Sequence, residues 1–340
     1  MNATPLLSVR NLRVQFAVGR NGPWPWSPTR WLYAVSDVSF DLAAGETLGI
    51  VGESGCGKSS LARALIGLNP IAGGTARFDG TDLATLPASD WGGLRSRMQM
   101  IFQDPLASLD PRMTIGDIVA EPLRAQQPGR AAADVKAETE RVMARVGLAA
   151  NVINRYPHEF SGGQCQRVGI ARALIVRPKL IICDEPVSAL DVSIQAQVIN
   201  LLMDLQRSDG LSLIFIAHDL AVVRHIADRV MVMYLGKAME QAPSDALFDT
   251  PGHPYTQALL SAVPIPDPAR ERAKAVQLLD GDLPSAVSPP SGCVFRTRCP
   301  QADTNCAGEV PALTMRREGH FVACGKNVAP SGVVASTVAS

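Results

Sequence analysis

The sequence predicts an α/β protein with a parallel-sheet core, an antiparallel β part at the N-terminus, an inserted helical part and a small C-terminal extension. From residue 178 onward, the apolar run KLIICDEP is followed by a helical pattern over 193–208 and then by a second apolar run, LSLIFIAHD. This alternation is typical of a parallel sheet with crossover helices.

The N-terminal part shows the alternation of a sheet. Residues 6–18 and 33–51 are rich in β-branched side chains, and the second run ends in GETLGIV, which is typical of a buried central strand. Residues 112–156 instead carry a helical pattern rich in Ala, Glu, Arg and Val. We therefore expect strands first, and a small helical subdomain inserted over about 104–160.

The bulk composition excludes some classes of function. Hydrophobic residues make up 46% of the 340 residues, enough for a sizeable core, and the formal net charge is 0. A neutral chain gives no electrostatic reason to expect nucleic acid as a partner. No run of eighteen apolar residues and no signal-peptide pattern are found, so we expect a cytosolic location, where cysteines are thiols or metal ligands.

A glycine-rich loop follows the predicted central strand. Gly52–Ser59 fits the pattern G-x-x-x-x-G-K-[ST] and precedes a predicted helix, a context that disfavours a chance glycine turn. In such a loop the backbone N–H groups surround phosphate oxygens, the lysine reaches the β- and γ-phosphates, and the serine hydroxyl binds Mg²⁺. The residues predicted to contact ATP here are Gly52, Ser54, Gly55, Cys56, Gly57, Lys58, Ser59 and Ser60.

The run Leu180–Ile182 leads through Cys183 into an acid pair, Asp184 and Glu185. An aspartate at the end of a strand holds Mg²⁺, and the adjacent glutamate polarises the attacking water as a general base. An acid pair alone is a weak signal, because many solvated strand ends look alike. Its position after the phosphate loop favours the catalytic interpretation.

A third motif, Phe160–Gln164 (FSGGQ), identifies a family. With the other motifs it resembles the signature of ABC ATPases over most of residues 6–250, with Phe160 in place of the usual leucine. The resemblance implies a RecA-like sheet core and a head-to-tail dimer in which this surface faces the partner's nucleotide. The residues that it implies for the partner's ATP are Ser161, Gly162, Gly163, Gln164 and Asp191.

The same resemblance assigns three further roles. Gln103, in MIFQDP, corresponds to the residue that contacts Mg²⁺ and the water, and His218 corresponds to the residue that contacts the γ-phosphate. The aromatic that stacks on adenine is left between Phe16, our first choice, and Tyr33, with core packing as the alternative for both.

More specific strings resemble the ATPases of oligopeptide, dipeptide and nickel importers. They are QDPLASLDPRMTIGDIVAEPL, RYPHE before the signature, and HPYTQALL with SAVP. This resemblance implies a nucleotide-binding domain over 1–250, an importer extension over 251–326 and a disordered tail over 327–340. It also implies a sister ATPase subunit (or a second copy), two permease subunits, an extracytoplasmic binding protein and the cytoplasmic face of the inner membrane.

Four of the seven cysteines fall in the extension, at Cys293, Cys299, Cys306 and Cys324. Four thiols in a short cytosolic segment suit zinc or an iron–sulfur cluster, and the spacing lacks the C-x₂-C pairs of zinc ribbons. Because similar importer ATPases carry a [4Fe–4S] cluster at such cysteines, the resemblance favours that cluster, with zinc or free thiols as alternatives. Arg296 and Arg298 either screen the thiolate charge or face water.

The function that the resemblance implies is ATP hydrolysis driving import of oligopeptides or dipeptides. The alternatives are import of nickel or another small solute, a soluble ABC ATPase of DNA repair or translation, and a redox- or iron-responsive protein. Soluble repair and translation ATPases typically carry a long coiled coil or two ATPase halves, and the sequence shows neither.

Overall fold

A computed structural model of the chain describes residues 4–326, except 21, 23, 25, 265–266, 268–270, 273, 275–276, 278 and 280. The predicted tail over 327–340 and part of the predicted extension over 251–326 lie outside the described residues.

Twelve strands and ten α-helices are found among the residues just given. The strands are β1 (Leu7–Arg20), β2 (Thr29–Leu42), β3 (Thr47–Val51), β4 (Gly73–Phe78), β5 (Thr81–Asp82), β6 (Met98–Ile101), β7 (Leu180–Asp184), β8 (Ser212–Ile216), β9 (Arg229–Tyr234), β10 (Lys237–Pro243), β11 (Thr314–Arg317) and β12 (His320–Val322). The helices are α1 (Lys58–Leu65), α2 (Trp91–Arg97), α3 (Ile115–Gln126), α4 (Ala132–Arg145), α5 (Gly162–Leu174), α6 (Val192–Asp209), α7 (Leu220–Ile226), α8 (Ser244–Asp249), α9 (Pro254–Ser261) and α10 (Asn305–Gly308).

The main sheet has the strand order β11-β12-β10-β9-β3-β8-β7-β6. Strands β9, β3, β8, β7 and β6 are parallel to one another, and β10, β12 and β11 are added antiparallel at one edge. Every residue of β3, β7 and β8 is buried, as expected for strands covered on both faces. The predicted fold class is confirmed.

A second, antiparallel sheet of order β2-β1-β4-β5 covers one face of the main sheet. Alternate residues of β1, such as Leu7 and Val9, point inward to a core that they share with Leu48 and Ile50 of β3. Residues of opposite parity, such as Val51, belong to the core on the other face. The alternating apolar residues that predicted β1 are therefore the residues that pack between the two sheets.

The helical part consists of α3, α4 and α5, which pack against one another. Helix α3 begins after Thr114, whose side chain accepts a hydrogen bond from the Asp117 N–H, and it contains Pro122. The range of about 104–160 expected for the helical subdomain includes α3 and α4, whereas α5 begins at the signature motif and continues to Leu174.

The C-terminal extension rejoins the main sheet. Glu240 and Gln241 of β10 pair with Val322 and Phe321 of β12, and β12 pairs with β11. Glu240 is fully buried and accepts hydrogen bonds from the Gly252 and His253 N–H groups, with His320 Nε2 2.6 Å from its carboxylate. Among the residues that the structure describes, no helix has the length and apolar character needed to cross a membrane.

Candidate active site

The predicted ATP-binding and catalytic residues follow neighbouring parallel strands at the same edge of the sheet. Gly52 comes directly after β3, Glu185 after β7, Gln103 two residues after β6 and His218 two residues after β8. The carboxyl ends of parallel strands meet along one edge, which is where open α/β sheets bind ligands. Residues far apart in sequence are brought together for this reason.

The phosphate loop is braced by close backbone contacts that only glycine permits. Gly52 has φ +150°, and a Cβ there would lie 2.2 Å from the Met233 carbonyl oxygen. Gly57 has φ +105°, and a Cβ there would lie 2.0 Å from the Ala34 carbonyl oxygen. Lys58 is buried within the loop, where its Nζ donates to the carbonyls of Gly52 (2.7 Å) and Glu53 (3.0 Å).

Ser59 and Asp184 form a site that fits Mg²⁺. Ser59 Oγ donates to Asp184 Oδ1 at 2.8 Å, while the buried Asp184 Oδ2 has no hydrogen-bond partner. Burial raises the pKa of the Asp184 carboxyl, with the Ser59 hydrogen bond opposing that rise. A buried carboxylate oxygen without a partner beside a serine hydroxyl offers the oxygen ligands that Mg²⁺ prefers.

Glu185 lies at the centre of a second group. Its backbone adopts the left-handed region at φ +47°, and its N–H donates to the Ile216 carbonyl at 3.0 Å. Glu185 Oε2 accepts from Gln103 Nε2 at 3.2 Å and lies 3.4 Å from His218 Nδ1. A non-glycine residue with positive φ is uncommon, and here the fixed backbone directs the carboxylate toward the amide and the imidazole.

The signature residues open helix α5 on the surface. Ser161 caps the helix: its N–H donates to Gln164 Oε1 at 3.0 Å and its Oγ accepts from the Gln164 N–H at 3.4 Å. A Cβ on Gly163 would lie 2.4 Å from the Ile194 side chain. Ser161, Gly162 and Gln164 are exposed, as is Asp191 at the start of α6. This helix start presents N–H groups outward, a geometry suited to an anion.

The two candidates for stacking on adenine, Phe16 on β1 and Tyr33 on β2, belong to adjacent residue pairs of the two strands. Phe16 pairs with Leu32 and is half-buried against the core beneath the antiparallel sheet. Tyr33 pairs with Gln15 and is 41% exposed. Both remain candidates, and the choice of Phe16 stays a prediction.

The four cysteines of the extension are half-buried free thiols. Burial raises the pKa of Cys293 and of Cys299. The charges of Cys306 and Cys324 raise both pKa values further, and the charge of Cys293 also raises the pKa of Cys299. The thiols therefore lie within electrostatic range of one another. In the described part of the chain, however, no three Cys, His, Asp or Glu side chains are placed to hold a metal ion. The predicted metal centre is not confirmed.

Sequence reasoning missed the residues that join the extension to the phosphate loop. The Tyr255 hydroxyl accepts from the Glu53 N–H at 3.0 Å, and Arg298 Nη1 donates to both carboxylate oxygens of Glu53 at 3.0 and 2.8 Å. Arg298 thus pairs with Glu53. Our alternative in which Arg298 faces water is wrong. Tyr255 lies in the HPYTQALL string, which is visible in the sequence, but no sequence signal indicates the contact of Tyr255 with Glu53.

The fold and the site define a class. A parallel sheet carries a phosphate loop, a strand-end acid pair and a glutamine and a histidine beside the glutamate, and a glycine-opened helix lies on the surface. These are the features of an ATP-binding cassette ATPase. Comparison with known proteins gives the particular family.

The profile of the ABC transporter family matches residues 35–188, and that of the oligopeptide/dipeptide transporter C-terminal region matches residues 239–306. The chain is 61% identical to the oligopeptide transport ATP-binding protein OppF of Haemophilus influenzae, over 95% of this chain and 97% of that protein. It is also 61% identical to OppF of Salmonella typhimurium, over 93% of each chain. The chain belongs to this family of oligopeptide transport ATP-binding proteins within the ABC ATPases.

Solved structures agree with the fold. The dimeric ATP-binding cassette MJ0796, in a post-hydrolysis state bound to ADP and Pi, is 25% identical and superposes with a TM-score of 0.63. The match covers 70% of this chain and 98% of that protein.

Proposed function

We propose that this chain hydrolyses ATP to power an importer of oligopeptides. The observation that carries the catalytic part is the convergence of Gln103, Glu185 and His218 beside the phosphate loop. The relatives named for oligopeptide transport support the cargo class, since the similarity extends over 95% of the chain.

The catalytic step is hydrolysis of the γ-phosphoryl bond. Glu185 accepts a proton from water as the water oxygen bonds to the γ-phosphorus, and the bond from that phosphorus to the β–γ bridging oxygen breaks, giving ADP and inorganic phosphate. Gln103 orients the water, and His218 contacts the γ-phosphate. Ser59, Asp184 and Gln103 would hold Mg²⁺, which when bound neutralises phosphate charge.

The exposed start of α5 supports a dimeric mechanism. Ser161, Gly162, Gly163 and Gln164, with Asp191, would contact ATP bound to a partner subunit. A sister ATPase is our first choice of partner and a second copy the alternative. The helical part would take up coupling helices of two permease subunits at the cytoplasmic face of the inner membrane, and a binding protein would deliver the cargo from the other side.

The test is reconstitution of the chain with its sister ATPase, permeases and binding protein in liposomes. We expect a labelled oligopeptide, presented with the binding protein, to accumulate in an ATP-dependent manner and to raise ATP turnover. Nickel uptake without peptide uptake would support the alternative cargo and contradict ours. The same complex carrying Glu185→Gln controls for leakage.

We further propose that Cys293, Cys299, Cys306 and Cys324 bind a [4Fe–4S] cluster, with zinc as the alternative. Four half-buried free thiols within one short segment support this, and the charges of the other three raise the pKa of Cys299, which a positively charged centre that binds thiolates would offset. Protein purified anaerobically should show charge-transfer absorbance and contain iron with acid-labile sulfide. Stoichiometric zinc without iron would contradict the cluster.

A further inference from the structure

Glu53, the second residue of the phosphate loop, is hydrogen-bonded through three of its groups. Its N–H donates to the Tyr255 hydroxyl, its carbonyl accepts from Lys58 Nζ, and its carboxylate receives Arg298 Nη1 at 3.0 and 2.8 Å. Two of these three contacts come from the C-terminal extension, about 200 or more positions later in the chain. The extension therefore contacts the loop that receives ATP.

Arg298 is fixed in place by an aromatic cluster. The rings of Tyr234, Tyr255 and Phe295 are fully buried, with centroids 4.8–5.2 Å apart. The Arg298 guanidinium lies over the Tyr234 ring at 6.0 Å, and its side chain is only 10% exposed. A charge in this setting is less screened than one at the surface, so its pairing with Glu53 has a larger effect.

The Arg298–Glu53 pair also reduces the electrostatic repulsion between Glu53 and the phosphates of ATP. A carboxylate next to Gly52 lies in a loop whose task is to bind a highly charged anion, and its unpaired charge would repel the triphosphate. Arg298, whose Nη1 donates to both carboxylate oxygens, neutralises that charge and fixes the carboxylate at the same time.

We propose that Arg298 is a positioning residue for ATP binding that acts by neutralising and orienting Glu53. The inference rests on the proposed function, because it requires that Gly52–Ser59 bind ATP. It differs from a purely structural role in one consequence: in folded protein, loss of Arg298 should weaken Mg-ATP binding, and removal of the Glu53 charge should restore it.

The experiment measures equilibrium binding of Mg-ATP to the full-length chain by calorimetry, with thermal unfolding as a check on folding. Arg298→Ala should raise the Kd by about tenfold, since it leaves a carboxylate unpaired beside the phosphates. The double variant Glu53→Gln with Arg298→Ala should return to within about twofold of the unaltered protein. Arg298→Lys, which keeps the positive charge on a shorter side chain without the guanidinium, should give a Kd between those of the single and the double variant.

Arg296→Ala is the matched control, because Arg296 donates to Ser291 within the extension and should leave the Kd unchanged. An Arg298→Ala variant that binds Mg-ATP normally, or a double variant no better than the single one, overturns the inference. If Arg298→Ala lowers the melting temperature, the Kd values are compared at a temperature at which every variant is folded, because Glu53→Gln can also repair a folding defect caused by the unpaired carboxylate. Failure of the unaltered protein to bind Mg-ATP would instead count against the proposed function.

Discussion

The phosphate-loop end of the sheet and the four-cysteine extension both carry predicted sites, but they place their functional atoms in different ways. At the sheet end, Gln103, Glu185 and His218 follow neighbouring parallel strands. Gln103 Nε2 and His218 Nδ1 both lie within 3.4 Å of Glu185 Oε2. In the extension, Cys293 and Cys299 lie outside helices and strands, Cys306 lies in the four-residue helix α10, and Cys324 follows β12. The charges of the other three cysteines raise the pKa of Cys299, but no group that could hold a metal ion is found in the described part of the chain.

The difference shows when the spacing of residues in a sequence predicts the geometry of a site. Where a sheet fixes the backbone, the order of motifs determines which side chains meet. Where the backbone is mostly turns, spacing indicates the donor type only, and the geometry depends on contacts with the rest of the protein. In the extension the residue with the clearest geometry is an arginine, Arg298, which pairs with Glu53 of the phosphate loop.

The largest expected effect tests the sheet end. Glu185→Gln keeps the shape of the side chain but removes the proton acceptor, so steady-state ATP turnover should fall on the order of 10²- to 10⁴-fold while ATP still binds. Phosphate release from the purified chain measures this. Glu309→Gln, on an exposed glutamate of the extension, is the matched control. Unchanged turnover in Glu185→Gln would remove Glu185 from the catalytic role.

The next effect tests the extension through pH. His253 is buried, its Nδ1 accepts from the Tyr255 N–H at 3.0 Å, and burial lowers its pKa to about 4 from 6.5. The unfolded chain then binds more protons below pH 6.5, so stability should be lost as pH falls from 6.5 toward 4, by at most about 3 kcal/mol.

His253→Asn keeps a capping oxygen but does not titrate, and should flatten this part of the pH profile. Denaturant unfolding at pH 7 and pH 5 gives the free energies, with His225→Asn, at an exposed histidine, as the control. Parallel pH profiles for the unaltered protein and His253→Asn would show that His253 is not responsible.

The smallest effect tests the contact between the two regions. Tyr255→Phe removes the oxygen that accepts from the Glu53 N–H. The lost hydrogen bond stabilises the ATP-binding conformation of the loop by about 1 kcal/mol, so Mg-ATP affinity should fall by up to about fivefold. Tyr156→Phe, at an exposed tyrosine, should have no effect. An equal loss of affinity in both variants would mean that the tyrosine hydroxyl at 255 has no specific role.

Much of the fold and of the ATP site could be predicted from the sequence because each motif lies at a strand end or a helix start. Ser161, for example, is a favourable capping residue directly before the signature glycines, and it caps α5. The contact of Tyr255 and Arg298 with Glu53 could not be predicted, because it depends on the path of the linker and on the packing of the Tyr234 ring. The pairing of β12 with β10 was missed as well, since HFV is too short to show a period.

That pairing has a consequence for any attempt to isolate the ATPase part. Strand β12 covers the open side of β10, and the outer strand β11 ends in two arginines, Arg316 and Arg317. Charged side chains on an outer strand hinder edge-to-edge association with another molecule. A shortened protein ending near residue 250 would expose β10 as a bare edge and leave the buried Glu240 without His320, so it should aggregate where the full chain does not.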